Sequence, residues 1–99
     1  MVRHVLFCKL TNYSQEGCEK LRDVFLSMNG KVPMAREVNA HIDFLHSDRS
    51  FDVLLEVTLD SPGALDAYQQ DPYHCNTVKT YVHSVVGKSA AVDYQYENA

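Results

Sequence analysis

Apolar and polar positions alternate from the first residues onward. Val2, His4, Leu6, Cys8 and Leu10 fall on one side of the opening segment, and Arg3, Val5, Phe7 and Lys9 on the other. A period of two is the signature of a β-strand. Both sets hold large apolar groups, so this strand expects cover on both faces. Thr11 to Tyr13 is a polar turn, after which the spacing changes to that of a helix. Cys18, Leu21, Val24, Phe25 and Met28 form one apolar stripe. Ser14 suits the N-cap, because its hydroxyl can accept an orphan backbone N–H. Glu16 and Lys20 pair one turn apart on the wet side, with Glu16 near the positive end of the helix dipole. Asn29-Gly30 is a natural stop, since Gly adopts the left-handed conformation without strain.

Pro33 ends any helical continuation. From Ala35 to Phe44 the alternation returns, with Val38, Ala40, Ile42 and Phe44 opposing Glu37, Asn39, His41 and Asp43. His46 to Arg49 is a polar connection, and Phe51 to Leu59 is a further alternating strand. Asp60-Ser61-Pro62 starts a helix, with Ser61 as cap and Pro62 at the first helical position. That helix runs to Gln70 with Ala64, Leu65 and Tyr68 inward. Asp71-Pro72 repeats the device, so a second helix restarts where the first breaks. At about 3.6 residues per turn, His74, Cys75, Val78, Tyr81, Val82 and Val85 share its inner stripe, while Lys79 and His83 face outward. Gly87 terminates it. Lys88 to Tyr96 is a last strand, with Ala90, Val92, Tyr94 and Tyr96 opposing Ser89, Ala91, Asp93 and Gln95.

Strand, helix, strand, strand, broken helix, strand is the α+β order of the ferredoxin-like βαββαβ fold. It places helices on one face of a four-stranded antiparallel sheet. The second sheet face still carries apolar residues, and an apolar face this wide marks an association surface. Two sheets packed face to face would cover it, which predicts a twofold homodimer.

Composition narrows the function classes. The 99 residues make one domain, with a 45 % hydrophobic and a 22 % charged share, as in ordinary globular proteins. No apolar run is long enough to span a bilayer, and the N-terminus lacks the pattern of a secretory signal, so no membrane partner is expected. The net charge is −4, and the Lys and Arg residues are scattered, which argues against nucleic acid. Cys8, Cys18 and Cys75 are odd in number, far apart and contain no C-x-x-C. That argues against a disulfide framework and a zinc site, leaving three reduced thiols and a cytoplasmic setting.

The opening strand Arg3 to Leu10, the Val32-Pro33 turn and the Phe51 to Val57 strand resemble the stress-responsive dimeric α/β-barrel (Dabb) domain proteins. So do the segment Ala67-Tyr68-Gln69-Gln70-Asp71-Pro72-Tyr73-His74 and the closing Ala91-Val92-Asp93-Tyr94. The Tyr-x-x-Asp-Pro-x-His run is the most specific part. The resemblance covers nearly the whole chain. It implies a homodimeric α/β barrel with a pocket between sheet and helices in each subunit. One plant branch of the family cyclises linear polyketides by aldol condensation without metal or organic cofactor. There a His in the helix restart is the base and a Tyr shortly before it assists. Those positions match His74 and Tyr68, and a pocket His of the first strand matches His4. The chain departs from that branch at Phe25, where the branch has Tyr, and at Val53, where it has His. It also carries Asp71 where the family often has His. These changes make the pocket less polar than in that branch.

Each candidate also has a plain structural reading. His74 could bond nearby backbone or Asp71 and hold the helix break rather than move protons. His4 among apolar neighbours could be a satisfied core residue, and Tyr68 could simply pack its ring. His41, His46 and His83 lack metal-ligand spacing. Asp43, Asp48 and Asp52 lack calcium-loop spacing and read as a solvated end. Three functions remain open. The first is a binder of a small, mostly apolar ligand that works as a cofactor-free acid–base enzyme on a carbonyl, polyketide-like substrate through His74, Tyr68 and His4. The second is a non-enzymatic stress-related or assembly protein. The third is a cofactor-free monooxygenase of the related antibiotic-biosynthesis type, which the lack of Trp disfavours.

Overall fold

The computed structural model describes residues 1–97. Strand β1 (Val2–Leu10) leads to helix α1 (Gln15–Leu26), then strands β2 (Glu37–Ile42) and β3 (Val53–Leu59). Helix α2 (Pro62–Gln70), a π-helical turn (His74–Val78), helix α3 (Lys79–Val85) and strand β4 (Val86–Gln95) follow. The sheet order is β2-β3-β1-β4, every neighbouring pair antiparallel, as the ferredoxin-like fold requires. His4 stands opposite Val57 on one side and opposite Asp93 on the other.

The two predicted caps are present. Gly17 N–H donates to Ser14 Oγ at 2.9 Å, and Ala64 N–H donates to Ser61 Oγ at 3.1 Å. One sheet face meets the helices. Val2, Cys8 and Leu10 of β1 and Val53, Leu55, Val57 and Leu59 of β3 are buried there, against Cys18, Leu21, Phe25 and Met28. Asn29 clips α1 to the sheet: its side chain donates to Val38 O at 3.0 Å and accepts from Val38 N at 3.2 Å. Cys8, Cys18 and Cys75 are free thiols, and burial pushes Cys8 up to about 12, which keeps it unreactive.

Several boundaries differ from the periodicity. Helix α1 stops at Leu26, and Gly30 instead serves a later turn at φ +80°. Strand β2 ends at Ile42, so Phe44 does not join the inner face and is 95 % exposed. Asp52 is buried, and its Oδ2 accepts the Leu10 N–H at 2.8 Å, tying β1 to the β3 entrance instead of meeting solvent. Gly87 lies inside β4 and terminates nothing. A Cβ there would lie 2.9 Å from Thr11 Oγ1, so close passage of the chain calls for glycine.

The largest departure is the π-helical turn. Lys79 N–H donates to His74 O, five residues back rather than four. The extra residue turns everything beyond it by about 100° relative to a regular helix. Lys79 and His83 are exposed, as expected, and at the same time line the cleft on the side of His74. On the opposite face of the sheet, Val5, Phe7 and Leu54 share the surface with Val92 and Tyr94, which are 54 % and 40 % exposed. No helix is long and apolar enough to cross a membrane among the described residues.

Candidate active-site cleft

Between the sheet and the broken helix lies a cleft of about 290 Å³. Its apolar wall comes from Leu6 of β1, Phe25 of α1, Leu55 of β3 and Val78 and Val82 beyond the helix break. All three residues singled out in the sequence, His4, Tyr68 and His74, line it together. The Tyr68 ring is the hub. It stacks on the His74 imidazole at 4.3 Å and 29°, and meets the His4 ring at 5.7 Å and 54°.

The two imidazoles are held differently. Asp93 Oδ1 bonds His4 Nδ1 directly across the β1–β4 ladder. A carboxylate on Nδ1 retains the proton there and leaves Nε2 as the free nitrogen. His74 is 8 % exposed, and its Nδ1 has no hydrogen-bond partner among the described residues. Asp71 Oδ2 is equally buried and unpartnered, so the expected Asp71–His74 bond is not formed. Burial, the Lys79 ammonium and His4 push His74 down to about 4, against weaker opposite pulls from Asp71 and the Tyr68 carbonyl. The ring is neutral at pH 7. Unpaired buried polar atoms cost about 1–3 kcal/mol each, and such costs gather at functional sites.

Tyr68 is placed otherwise than a hydroxyl donor would be. Its side chain is fully buried, and Tyr68 Oη donates to Met28 Sδ at 3.8 Å in the core. Burial first, then Asp71, raises its pKa, so the phenol stays protonated. What Tyr68 presents to the cleft is the face of its ring. Phe25 lines the cleft, whereas Val53 belongs to the core. His41 is exposed, and His46 meets the Tyr13 ring at 4.2 Å in a tilted arrangement outside the cleft. Among the described residues no group of three or more His, Cys, Asp or Glu could hold a metal ion.

Sequence reasoning missed two features. Asp93 was legible in principle, because pairing β1 with β4 in antiparallel register sets it opposite His4. The polar mouth of Gln69, Lys79, His83, Lys88 and Ser89 was not, because no residue pattern announced the π turn.

The profile of the Stress Responsive A/B Barrel Domain (Dabb) family matches residues 2–96. The chain belongs to this family. Solved structures extend the match to three dimensions. An Arabidopsis thaliana protein superposes with a TM-score of 0.83 at 20 % identity, covering 100 % of this chain and 98 % of its own. A dimeric protein of unknown function with a ferredoxin-like fold from Bacteroides fragilis gives 0.80 at 16 %, over 96 % and 95 %. A hydroxynitrile lyase from Passiflora edulis gives 0.81 at 16 %, over 99 % and 96 %. At such identities the shared property is the fold alone. No curated relative matches the sequence.

Proposed function

We propose that this Dabb chain is a cofactor-free acid–base catalyst acting on a small carbonyl compound held in the His4–Tyr68–His74 cleft. The observation that carries this reading is one pocket holding two imidazoles in unlike hydrogen-bond settings, one bonded to Asp93 and one buried with an unpartnered Nδ1. Imidazoles held so differently divide acid and base roles between them. His4 takes the proton at its free Nε2, and Asp93 stabilises the imidazolium that forms. This reverses the expectation that His74 is the base, since a nitrogen lowered to about 4 accepts a proton poorly at neutral pH. His74 instead polarises the carbonyl as a neutral group, and Tyr68 spaces the two rings. Leu6, Phe25 and Leu55 supply apolar walls that favour an aromatic or alkyl substituent. That a hydroxynitrile lyase shares the fold is in keeping with proton transfer beside a polarised carbon–oxygen bond. Proton NMR in D₂O with methyl 3-benzoylpropionate tests the reading. Hydrogens next to the ketone should exchange at least about tenfold faster with protein than in buffer containing equivalent imidazole. An unchanged rate would refute it.

The chain also acts as a homodimer in this reading, its open sheet face packed on that of a second copy. The dimeric neighbour supports this, as does the row Val5, Phe7, Leu54, Val92 and Tyr94. Removing about 1,000 Å² of apolar surface from water contributes on the order of 25 kcal/mol before entropic costs. Leu54→Glu would bury a charge without a partner at that junction. Sedimentation velocity at micromolar concentration should show a wild-type dimer and a largely monomeric Leu54→Glu; a monomeric wild type would overturn the assignment. Three free thiols suit a reducing compartment, which the cytoplasm provides.

A further inference from the structure

The chain as a whole is acidic, with 13 Asp and Glu against 9 Lys and Arg. Its cleft has the opposite character. No Asp or Glu is among the residues lining it, while Lys79, His83 and Lys88 stand at its solvent edge. Two carboxylates stand behind the lining: Asp93 bonds His4, and the buried Asp71 acts on His74 and Tyr68. Neither Lys79 nor Lys88 makes an ion pair or side-chain hydrogen bond among the described residues. Two free ammonium groups thus border a cleft whose lining carries no carboxylate, in a chain of net charge −4. A backbone irregularity puts one of them there: in a regular helix Lys79 would face away, and the π turn rotates it onto the face of His74.

We propose that the cleft selects carbonyl compounds that carry a carboxylate, the ketone lying between His4 and His74 and the carboxylate at the mouth against Lys79 and Lys88. The inference rests on the acid–base reading of the same cleft and adds the substrate class. The volume of about 290 Å³ sits at the small end of ligand pockets, so the apolar body is the size of one aromatic ring with a short chain. Charge at the mouth also steers anions toward a site whose surroundings repel them. The same placement links binding to chemistry. The Lys79 charge acts on His74, so a carboxylate bound at Lys79 also changes the charge that the His74 ring feels.

The test compares 3-benzoylpropionate with its methyl ester, which keeps the ketone and loses the charge. Calorimetry at low salt should show the acid binding about tenfold tighter than the ester, a preference that shrinks in 0.5 M salt (about 4 Å screening length). The double variant Lys79→Gln, Lys88→Gln should bind the ester within about twofold of wild type and bind the acid no better than the ester. Equal wild-type affinities, or a preference that survives the double variant, would overturn the inference. Exchange measured on the ester separates the two claims. An ester that binds and exchanges while the acid gains nothing removes the carboxylate alone. Failure of both probes to bind removes the cleft as a substrate site altogether.

Discussion

Asp93→Asn is expected to slow proton exchange next to the ketone by about 10²-fold with little change in ligand affinity. Asp93 touches the cleft only through His4, so its removal leaves the apolar walls and the mouth as they are. An amide can present its NH₂ to His4 Nδ1, which moves the ring proton to Nε2 and turns the base into a donor. The amide also cannot balance the imidazolium charge. Asp93 is 42 % exposed at its side chain, so the loss should fall short of that for a fully buried carboxylate. Asp93→Glu should restore part of the rate. Nitrogen-15 NMR of the histidine rings would report the tautomer directly. A variant with the wild-type rate and an altered His4 tautomer would exclude His4 as the base.

His74→Leu should abolish exchange and at the same time raise the melting temperature near pH 7. The two side chains are similar in volume, while leucine removes a buried nitrogen that has no partner. Relief of about 1 kcal/mol corresponds to about 4–8 °C in a domain of this size. The pH dependence carries a second signature. Because the folded protein holds His74 down to about 4, the unfolded chain takes up a proton first as pH falls through the ordinary value of 6.5. Wild-type stability is therefore full above about pH 6.5 and is lost progressively toward pH 4. The loss is on the order of 2 kcal/mol once solvent at the cleft is allowed for. His74→Leu removes that contribution, so the gap between variant and wild type widens on acidification. His4, Asp71 and Lys79, which face His74 from β1, the end of α2 and α3, remain in both proteins and leave the comparison clean. A melting temperature several degrees below wild type, with an unchanged pH slope, would mark His74 as a structural residue.

The free-energy cost of the unpaired atoms at Asp71 and His74 is carried by the core around Leu21, Phe25, Leu55 and Tyr68.

By itself the sequence determined the order of elements, the two serine caps and the apolar second face. These follow from periodicity and local capping, which act over a few residues and leave a direct trace in the chain. It also brought His4, Tyr68 and His74 forward, through the Tyr-x-x-Asp-Pro-x-His run and a lone polar residue on an apolar strand face. Only the tertiary structure decided how they are arranged. Strand register set Asp93 behind His4, a pairing across 89 positions that no local pattern encodes. Packing turned the Tyr68 hydroxyl into the core toward Met28, leaving its ring to face the cleft. One extra residue in the turn from His74 to Val78 set the exposed Lys79 and His83 along the cleft. A regular period assumes an unbroken ladder of hydrogen bonds, and where the ladder shifts from four residues to five, later positions rotate by about 100°.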